Sequence, residues 1–268
     1  MKTHRFIFIL ASSFLLGCEK VIDVSLDNDK PRLVIEANLI EGEHLFMVTI
    51  SQTADYFDDS APTYISTADV YLRDQGGNEI LIPFVEDGRY EAMVTAEVGI
   101  NYILTVELDG VVYEAQSFLP EKVPLVELIP EEERATPAFD EGYSLFIRFD
   151  DPIAEENYYR FIFSIDGERQ LNGEDMQVLD DNLFDGGEAR IRLFAQVFDP
   201  GDTVEVELVH FDQSSYEYFN SLSDIIGDGQ GPNAGNAAPG NPVSNWSGDI
   251  LGYFSAYSAD TLSIVIRD

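Results

Sequence analysis

Cysteine is almost absent from this sequence, because Cys18 is the only one among 268 residues. A single thiol forms no intrachain disulfide, so the hydrophobic core must stabilise the fold without a covalent crosslink. Structural and catalytic zinc sites use several cysteine or histidine ligands, and the sequence has three histidines besides this one cysteine. The composition therefore predicts neither a disulfide-stabilised fold nor a zinc site.

Basic residues are also scarce. The chain has 15 Lys and Arg against 50 Asp and Glu, which gives a formal net charge of −35 at pH 7. Nucleic acids and anionic lipids are bound through clusters of Lys and Arg, so this balance argues against both as partners. The acidic side chains are expected mainly to form a solvated surface, since 18 Phe and 13 Tyr argue against a disordered chain.

Histidine, the commonest general base, occurs at positions 4, 44 and 210. His44 lies beside the predicted strand Leu45–Ile50, and His210 has the same strand parity as Val204. Neither has a serine or cysteine partner marked by a motif, so both are interpreted as structural. Acidic residues are too numerous for a glycosidase pair to be chosen among them. We therefore predict no catalytic residues and no enzymatic activity.

A run of about 20 apolar residues, the length that spans a bilayer, is missing as well. The apolar stretch Phe6–Leu16 has eleven residues, follows Lys2 and Arg5, and is typical of a secretory signal. It ends in Leu15-Leu16-Gly17-Cys18, which resembles the lipobox of bacterial lipoproteins. We predict a signal peptide over residues 1–17, lipidation of the Cys18 thiol, and a tether over 18–30. Each buried CH₂ of the acyl chains would contribute roughly 0.8 kcal/mol to anchoring.

Residues 31–120 show the alternation of β-strands. Phe46, Val48 and Ile50 alternate with polar or exposed neighbours, and the same period of two recurs around Val70 and from Tyr102 to Leu108. Period two with one polar face indicates an antiparallel sheet with one side in water. Turn signals at 76–78, 87–88 and 109–110 separate the strands. The pattern predicts an N-terminal β-sandwich of immunoglobulin or transthyretin type, in a mainly β protein.

Prolines 120, 124 and 130, together with Glu131–Glu133, predict a linker over residues 121–142. A second β-rich domain is predicted over residues 143–268. Its predicted strands are 145–149, 159–165, 191–198, 204–209, 250–257 and 262–266, with a hairpin at 199–202. One short helix is predicted from the cap Asp212 to Gly227, because apolar residues from Tyr216 to Ile226 recur at helical spacing.

Seven short motifs, in this order, resemble a family of Bacteroidetes lipoproteins known as domain-of-unknown-function family 4249. The motifs are Phe118-Leu119-Pro120, Phe149-Asp150-Asp151-Pro152, Asn157-Tyr158-Tyr159-Arg160, Gly201-Asp202-Thr203-Val204, Tyr216-Glu217-Tyr218-Phe219, Asn245-Trp246-Ser247-Gly248 and Leu251-Gly252-Tyr253-Phe254-Ser255-Ala256-Tyr257-Ser258. The resemblance implies an outer-membrane lipoprotein, often encoded beside a TonB-dependent receptor. It implies no activity and no functional residues. The acidic residues after Cys18 also resemble export signals of this phylum, which implies a body that faces the cell exterior.

Two groups of acidic residues put oxygen ligands on turns: Asp180-Asp181-Asn182 with Asp185-Gly186, and Asp224 with Asp228-Gly229. Neither matches the spacing of an EF-hand loop, so we interpret both as exposed turns and assign no metal and no cofactor. Trp246 is either an exposed platform for sugars or a buried side chain of the second domain against the strand Leu251–Phe254. The second interpretation is favoured.

Two functions remain open from the sequence. The first is a non-enzymatic, lipid-anchored accessory subunit of a TonB-dependent outer-membrane receptor or a related envelope complex. The alternative is a stand-alone surface lipoprotein that binds glycan or peptide, with or without calcium. Both predict an outer-membrane protein held by Cys18, and neither involves nucleic acid.

Overall fold

The computed structural model describes residues 31–54, 62–134, 141–153, 155–171, 176–193, 197–226 and 240–267. Within these ranges the chain is mainly β and has one helix, as predicted. The strands of the first half are β1 (Leu33–Ile40), β2 (Gly42–Gln52), β3 (Thr63–Tyr64), β4 (Asp69–Asp74), β5 (Glu79–Leu81), β6 (Phe84–Glu86), β7 (Arg89–Ala96), β8 (Ile100–Leu108) and β9 (Val111–Leu119).

The second half contains the helix and the remaining strands. These elements are β10 (Leu125–Glu133), β11 (Gly142–Asp150), β12 (Tyr158–Ile165), β13 (Glu168–Arg169), β14 (Gln177–Asp180), β15 (Glu188–Arg192), β16 (Thr203–Phe211), α1 (Gln213–Ile226) and β17 (Leu251–Val265). No helix in the described ranges has the length and apolar character needed to cross a membrane.

The N-terminal strands form the predicted sandwich. One layer has the order β1-β2-β7-β6 and the other β5-β4-β8-β9, and one apolar cluster with side chains from both layers lies between them. This is the strand connectivity of an immunoglobulin-type sandwich. Alternation produces the core, since Ile35, Ala37 and Leu39 of β1 are buried while Glu36 and Asn38 are exposed.

Three Asp-Gly turns close hairpins, and two of them lie at the predicted turns 87–88 and 109–110. Asp87-Gly88, Asp109-Gly110 and Asp166-Gly167 have φ values of 44° and 69°, 52° and 78°, and 50° and 85°. Positive φ at both central residues is the requirement of a type I′ turn, whose twist matches that of the strands. Short polar aspartate tolerates this conformation, and glycine adopts it without a steric penalty.

The C-terminal half is a second sandwich. Sheet β10-β11-β15 packs against β12, β16 and the end of β17 around a cluster that includes Phe149, Tyr159, Phe161 and Phe163. Strand β10 therefore occupies much of the range predicted as a linker. Its apolar residues Leu125 and Leu128 are buried in this core although Pro130 and Glu131–Glu133 follow them directly in the sequence.

Two strand predictions in this half were wrong. The predicted hairpin 199–202 does not join neighbouring strands, because β15 pairs with β11 in one layer while β16 pairs with β12 and β17 in the other. The strands predicted at 250–257 and 262–266 are one strand, β17, since the polar stretch between them is paired with β16. Residues 194–196 of the predicted strand 191–198 lie outside the described residues.

Strand β17 connects the two sandwiches. Its first part pairs in parallel with β1, and its second part pairs antiparallel with β16, which produces one ten-stranded sheet. Gly252 (φ 88°) permits the close approach of β17 to β1, because a Cβ at this position would lie 2.2 Å from the Ile35 carbonyl oxygen. Phe254 and Ala256 belong to the N-terminal core. That core therefore includes residues from far beyond position 120.

Helix α1 covers part of the outer face of the ten-stranded sheet. Asp212 caps it as predicted, since its Oδ1 accepts a hydrogen bond from Ser215 N at 2.9 Å. The other carboxylate oxygen accepts one from Phe118 N at 2.9 Å, which connects the helix to β9 of the first sandwich. Tyr218 and Phe219 pack on the sheet beside Phe211. The predicted end at Gly227 lies outside the described residues.

Candidate functional site

The predicted lipidation site lies outside the described residues, which begin at Pro31. Pro31 and Arg32 line a groove of about 760 Å³ at one end of the N-terminal sandwich, together with Tyr113 and Asp249. Arg32 forms an ion pair with Asp249, which holds the start of β1 against the segment that precedes β17. The predicted tether 18–30 would enter the fold at this end.

Among the described residues, three aspartates form a group that resembles a metal site. The carboxylate oxygens of Asp151, Asp181 and Asp185 lie within 4.8 Å of one another. The sequence singled out Asp181 and Asp185, whereas Asp151 comes from the end of β11 and was noted only as part of a family motif. Folding brings it there because its backbone N–H donates a hydrogen bond to the Gly187 carbonyl oxygen at 3.0 Å. The second acidic group predicted from the sequence combines Asp224 with Asp228-Gly229, and the latter two residues lie outside the described residues.

The aspartates are engaged mainly by groups of the protein itself. Asp151 accepts hydrogen bonds from the Tyr159 hydroxyl at 2.5 Å and from Gly186 N at 2.9 Å. Asp181 accepts one from Asn157 N at 2.7 Å. Burial raises the pKa of the Asp151 carboxyl, and the two donors partly oppose that rise. Calcium takes 6–8 oxygen ligands, so three carboxylates of which two already accept hydrogen bonds account for a folded loop better than for a calcium site.

The histidines occupy different environments. His44 is exposed on β2, whereas His210 is buried on β16. The His210 ring stacks on Tyr159 with centroids 5.1 Å apart, and its Nδ1 lies 2.7 Å from the Glu121 carbonyl oxygen. The carbonyl can only accept, so Nδ1 carries the proton. Burial lowers the pKa of His210, and the nearby carboxylates of Asp151, Glu155 and Asp181 only partly oppose this.

This burial predicts an acid-sensitive fold. In the unfolded chain His210 binds a proton at its ordinary pKa of 6.5, whereas in the folded protein it does so only at a lower pH. The stability that neutral His210 contributes is therefore complete above pH 6.5 and is lost as the pH falls from 6.5 through the lower pKa of the folded state. A His210→Asn variant, whose amide can still donate to the Glu121 carbonyl, should lose less stability than wild type between about pH 7.5 and 5.5. Urea unfolding midpoints across this range measure the slope. Equal slopes for both proteins would contradict the prediction.

Trp246 is buried, as the favoured interpretation predicts, but it lies in the N-terminal sandwich and not in the second domain. It is 5% exposed and belongs to the N-terminal core, where its Nε1 donates a hydrogen bond to the Ile35 carbonyl oxygen at 3.1 Å. Its backbone pairs with Ala115 at the edge of β9. Trp246 therefore packs in the first sandwich rather than in the second, and it offers no exposed platform for sugars.

An exposed apolar surface lies on the outer side of strands β2 and β7. Leu45, Met47 and Met93 are 53%, 37% and 60% exposed. Leu45 and Met93 are directly opposed across the two strands, and Met47 lies two residues along β2 on the same side. Opposed residues have Cβ atoms about 4.5–5.5 Å apart, and diagonal neighbours such as Met47 and Met93 are about 7–8 Å apart, within reach of long side chains. These three residues therefore form one continuous surface, here called the apolar face. Sequence alternation placed Met47 on the outside but did not show that Leu45 and Met93 adjoin it.

Comparisons with solved structures return matches with low superposition scores. A two fibronectin type-III domain segment from chicken tenascin has 14% identity and a TM-score of 0.22, and covers 68% of this chain and 91% of its own. The chicken interferon gamma receptor alpha chain has 10% identity and a TM-score of 0.26, and the match covers 89% of this chain and 99% of the receptor chain. Red sea bream transglutaminase has 9% identity and a TM-score of 0.23, and the match covers 90% of this chain and 32% of the transglutaminase.

The sequence comparisons identify a family. A comparison with curated proteins gives no significant match. A family model described as a domain of unknown function (DUF4249) matches residues 19–263, which is nearly the whole chain and includes both sandwiches. This chain therefore belongs to the DUF4249 family.

Proposed function

We propose that this chain is a non-enzymatic, lipid-anchored cell-envelope protein that serves as an accessory subunit of a TonB-dependent outer-membrane receptor or a related envelope complex. In this proposal Cys18 carries the lipid, and the body faces the cell exterior. The observation that carries the proposal is the apolar face of Leu45, Met47 and Met93.

The apolar face has the composition of a contact surface. Methionine is enriched at protein interfaces and adapts its shape to a partner, and contiguous exposed apolar surface marks sites of interaction. The surrounding charge disfavours nucleic acid and anionic lipid, which leaves a protein partner as the better occupant. A lipid tether would hold the body close to the membrane, so a membrane-embedded receptor would be met at high effective concentration.

The experiment is purification of the full-length tagged protein from its own membranes in mild detergent. We expect a stoichiometric β-barrel receptor in the eluate. A Met93→Glu variant should reduce its recovery at least about tenfold, because a carboxylate would be buried at the contact, while the exposed site leaves folding nearly unchanged.

Leu81→Glu is the matched control, because Leu81 is similarly exposed but lies on β5 in the opposite layer of the same sandwich. It should leave recovery of the receptor unchanged. Isolation of wild-type protein without any stoichiometric membrane partner would overturn the proposal. If both variants reduce recovery of the receptor equally, the apolar face is not the specific contact surface.

A stand-alone surface protein that binds glycan or peptide is the second candidate. The groove lined by Pro31, Arg32, Tyr113 and Asp249 favours it, since its volume of about 760 Å³ lies in the range of small-ligand sites. Binding on a glycan array, together with purification free of a receptor, would support this candidate over the first.

A further inference from the structure

A small cavity lies on the outer face of the ten-stranded sheet, where the two sandwiches meet beside helix α1. Its volume is about 210 Å³. Its polar and aromatic lining includes Asn38, Arg160, Arg169, Phe219, Tyr253 and Tyr257. These residues come from β1, β12, β13, α1 and β17, so only the assembled sheet creates the cavity.

Arg160 lines this cavity and forms no ion pair with the described carboxylates, of which Glu207 is near enough to raise its pKa. Its neighbours Tyr159 and Phe161 point into the C-terminal core, which turns Arg160 to the opposite face of β12. The guanidinium carbon lies 4.3 Å from the centroid of the Phe219 ring. Within the described part of the chain Arg160 Nε is buried without a hydrogen-bond partner, and no carboxylate forms an ion pair with this side chain.

An arginine without an ion pair is unexpected in a chain with 50 acidic side chains and 15 basic ones. The arginines that pair with carboxylates in the described ranges are Arg32, Arg73, Arg89, Arg148, Arg169, Arg190 and Arg192. Most of these lie at exposed positions, where pairing contributes little. Arg160 is partly buried, and this burial lowers the pKa of its guanidinium, an effect that the nearby Tyr253, Tyr257 and Glu207 partly oppose. Arg160 Nε is buried without a hydrogen-bond partner, which is costly for a charged group, so a negative ligand would stabilise this arrangement.

Other polar groups converge on the same space. Ser255 Oγ is fully buried and, among described residues, also lacks a hydrogen-bond partner. Asn38 Nδ2 donates to the Tyr253 hydroxyl at 2.9 Å, which orients that hydroxyl. Burial raises the pKa of Tyr253, and raises that of Tyr257 to about 12, so both phenols stay protonated at neutral pH. The cavity therefore offers a planar guanidinium and several hydroxyl groups to one ligand.

We infer that this cavity binds a small organic carboxylate, with the carboxylate on Arg160 and the body of the ligand against Tyr253 and Tyr257. Guanidinium and carboxylate match as planar bidentate partners. The charge balance favours a monoanion, since Arg169 is already engaged by Glu207 at 3.5 Å and Glu36 lies on the same face of β1 as Asn38. This site is separate from the apolar face and goes beyond the proposed accessory role.

Calorimetry with the purified full-length protein tests the inference, using D-glucuronate, D-glucose and inorganic phosphate as probes. We expect saturable binding of glucuronate, and at least tenfold weaker binding of glucose, which lacks the carboxylate. Arg160→Met keeps an apolar side chain over Phe219 but removes the charge, and should weaken glucuronate binding at least tenfold. Arg190→Met is the matched control, since Arg190 also lies over a ring, 3.8 Å from the Phe146 centroid, but outside the cavity.

Stability without ligand provides the second measurement. Because Arg160 forms no ion pair among the described residues and its Nε is buried without a hydrogen-bond partner, Arg160→Met should have a urea unfolding midpoint equal to or above that of wild type. A lower midpoint would assign Arg160 a structural role and overturn the inference, as would the absence of glucuronate binding to wild type. Tighter binding of phosphate than of glucuronate would overturn the choice of a carboxylate. Recovery of the receptor should be the same for Arg160→Met and wild type, which separates this test from that of the accessory role.

Discussion

Replacing Trp246 with alanine is expected to lower the free energy of unfolding by about 3–5 kcal/mol, the range for large aromatic side chains removed from a core. Trp246 fills the N-terminal core from a segment that lies more than a hundred residues after β9, and its indole N–H is bonded to the Ile35 carbonyl oxygen. The variant would leave a cavity between the sheets where β17 meets β1. Urea unfolding followed by far-ultraviolet circular dichroism measures the change.

The controls separate volume from hydrogen bonding. Trp246→Phe keeps most of the ring but removes the N–H donor, so it should cost about 1–3 kcal/mol. Leu183→Ala alters a side chain that is 94% exposed and should change stability by less than about 0.5 kcal/mol.

The shape of the transition is a second readout of the same variants. Since β17 belongs to both sandwiches, we expect one cooperative transition in wild type and in Trp246→Ala. Two transitions, of which Trp246→Ala moves only the first, would contradict the view that the sandwiches are coupled through β17.

Replacing Cys18 with serine is expected to abolish lipid attachment completely. A serine hydroxyl cannot form the thioether that would hold the diacylglycerol, and the remaining eleven-residue apolar stretch is too short to span a bilayer. In cells fed a radiolabelled fatty acid, wild-type protein should carry the label and Cys18→Ser none. Mass spectrometry should also find residues 1–17 retained in the variant, because cleavage would depend on the modified cysteine.

A conservative change near Cys18 provides the comparison. Gly17→Ala keeps a small residue before the cleavage position and should still be labelled and processed. Persistence of the acyl label in Cys18→Ser would contradict the assignment of Cys18 as the lipidated residue.

The local features of the fold could be read from the sequence because they depend on neighbours in the chain. Alternation predicted the buried faces of β2, β4 and β8, and Asp-Gly pairs predicted the hairpins whose positive φ values only such residues adopt readily. The helix was predictable because Asp212 caps it within one turn. The proline and glutamate run concealed β10, because its few apolar residues acquire a core only from β11.

Long-range contacts account for what the sequence did not predict. Asp151 joins Asp181 and Asp185 only after two strands pair, and Trp246 was expected in the second sandwich because it is near that half in sequence. Arg160 is one of many charged residues until β1, β12, β17 and α1 surround it.

By itself the sequence determined the class of the fold, the alternating strands, the turns and the special position of Cys18, since each depends on periodicity or on adjacent residues. Tertiary structure alone decided that β17 completes both sandwiches, that the apolar face is continuous, and that Arg160 lines a cavity with Ser255 and Tyr253. The physical reason is that burial and charge pairing depend on which strands become neighbours, and strand pairing across two hundred residues leaves no local pattern in the chain.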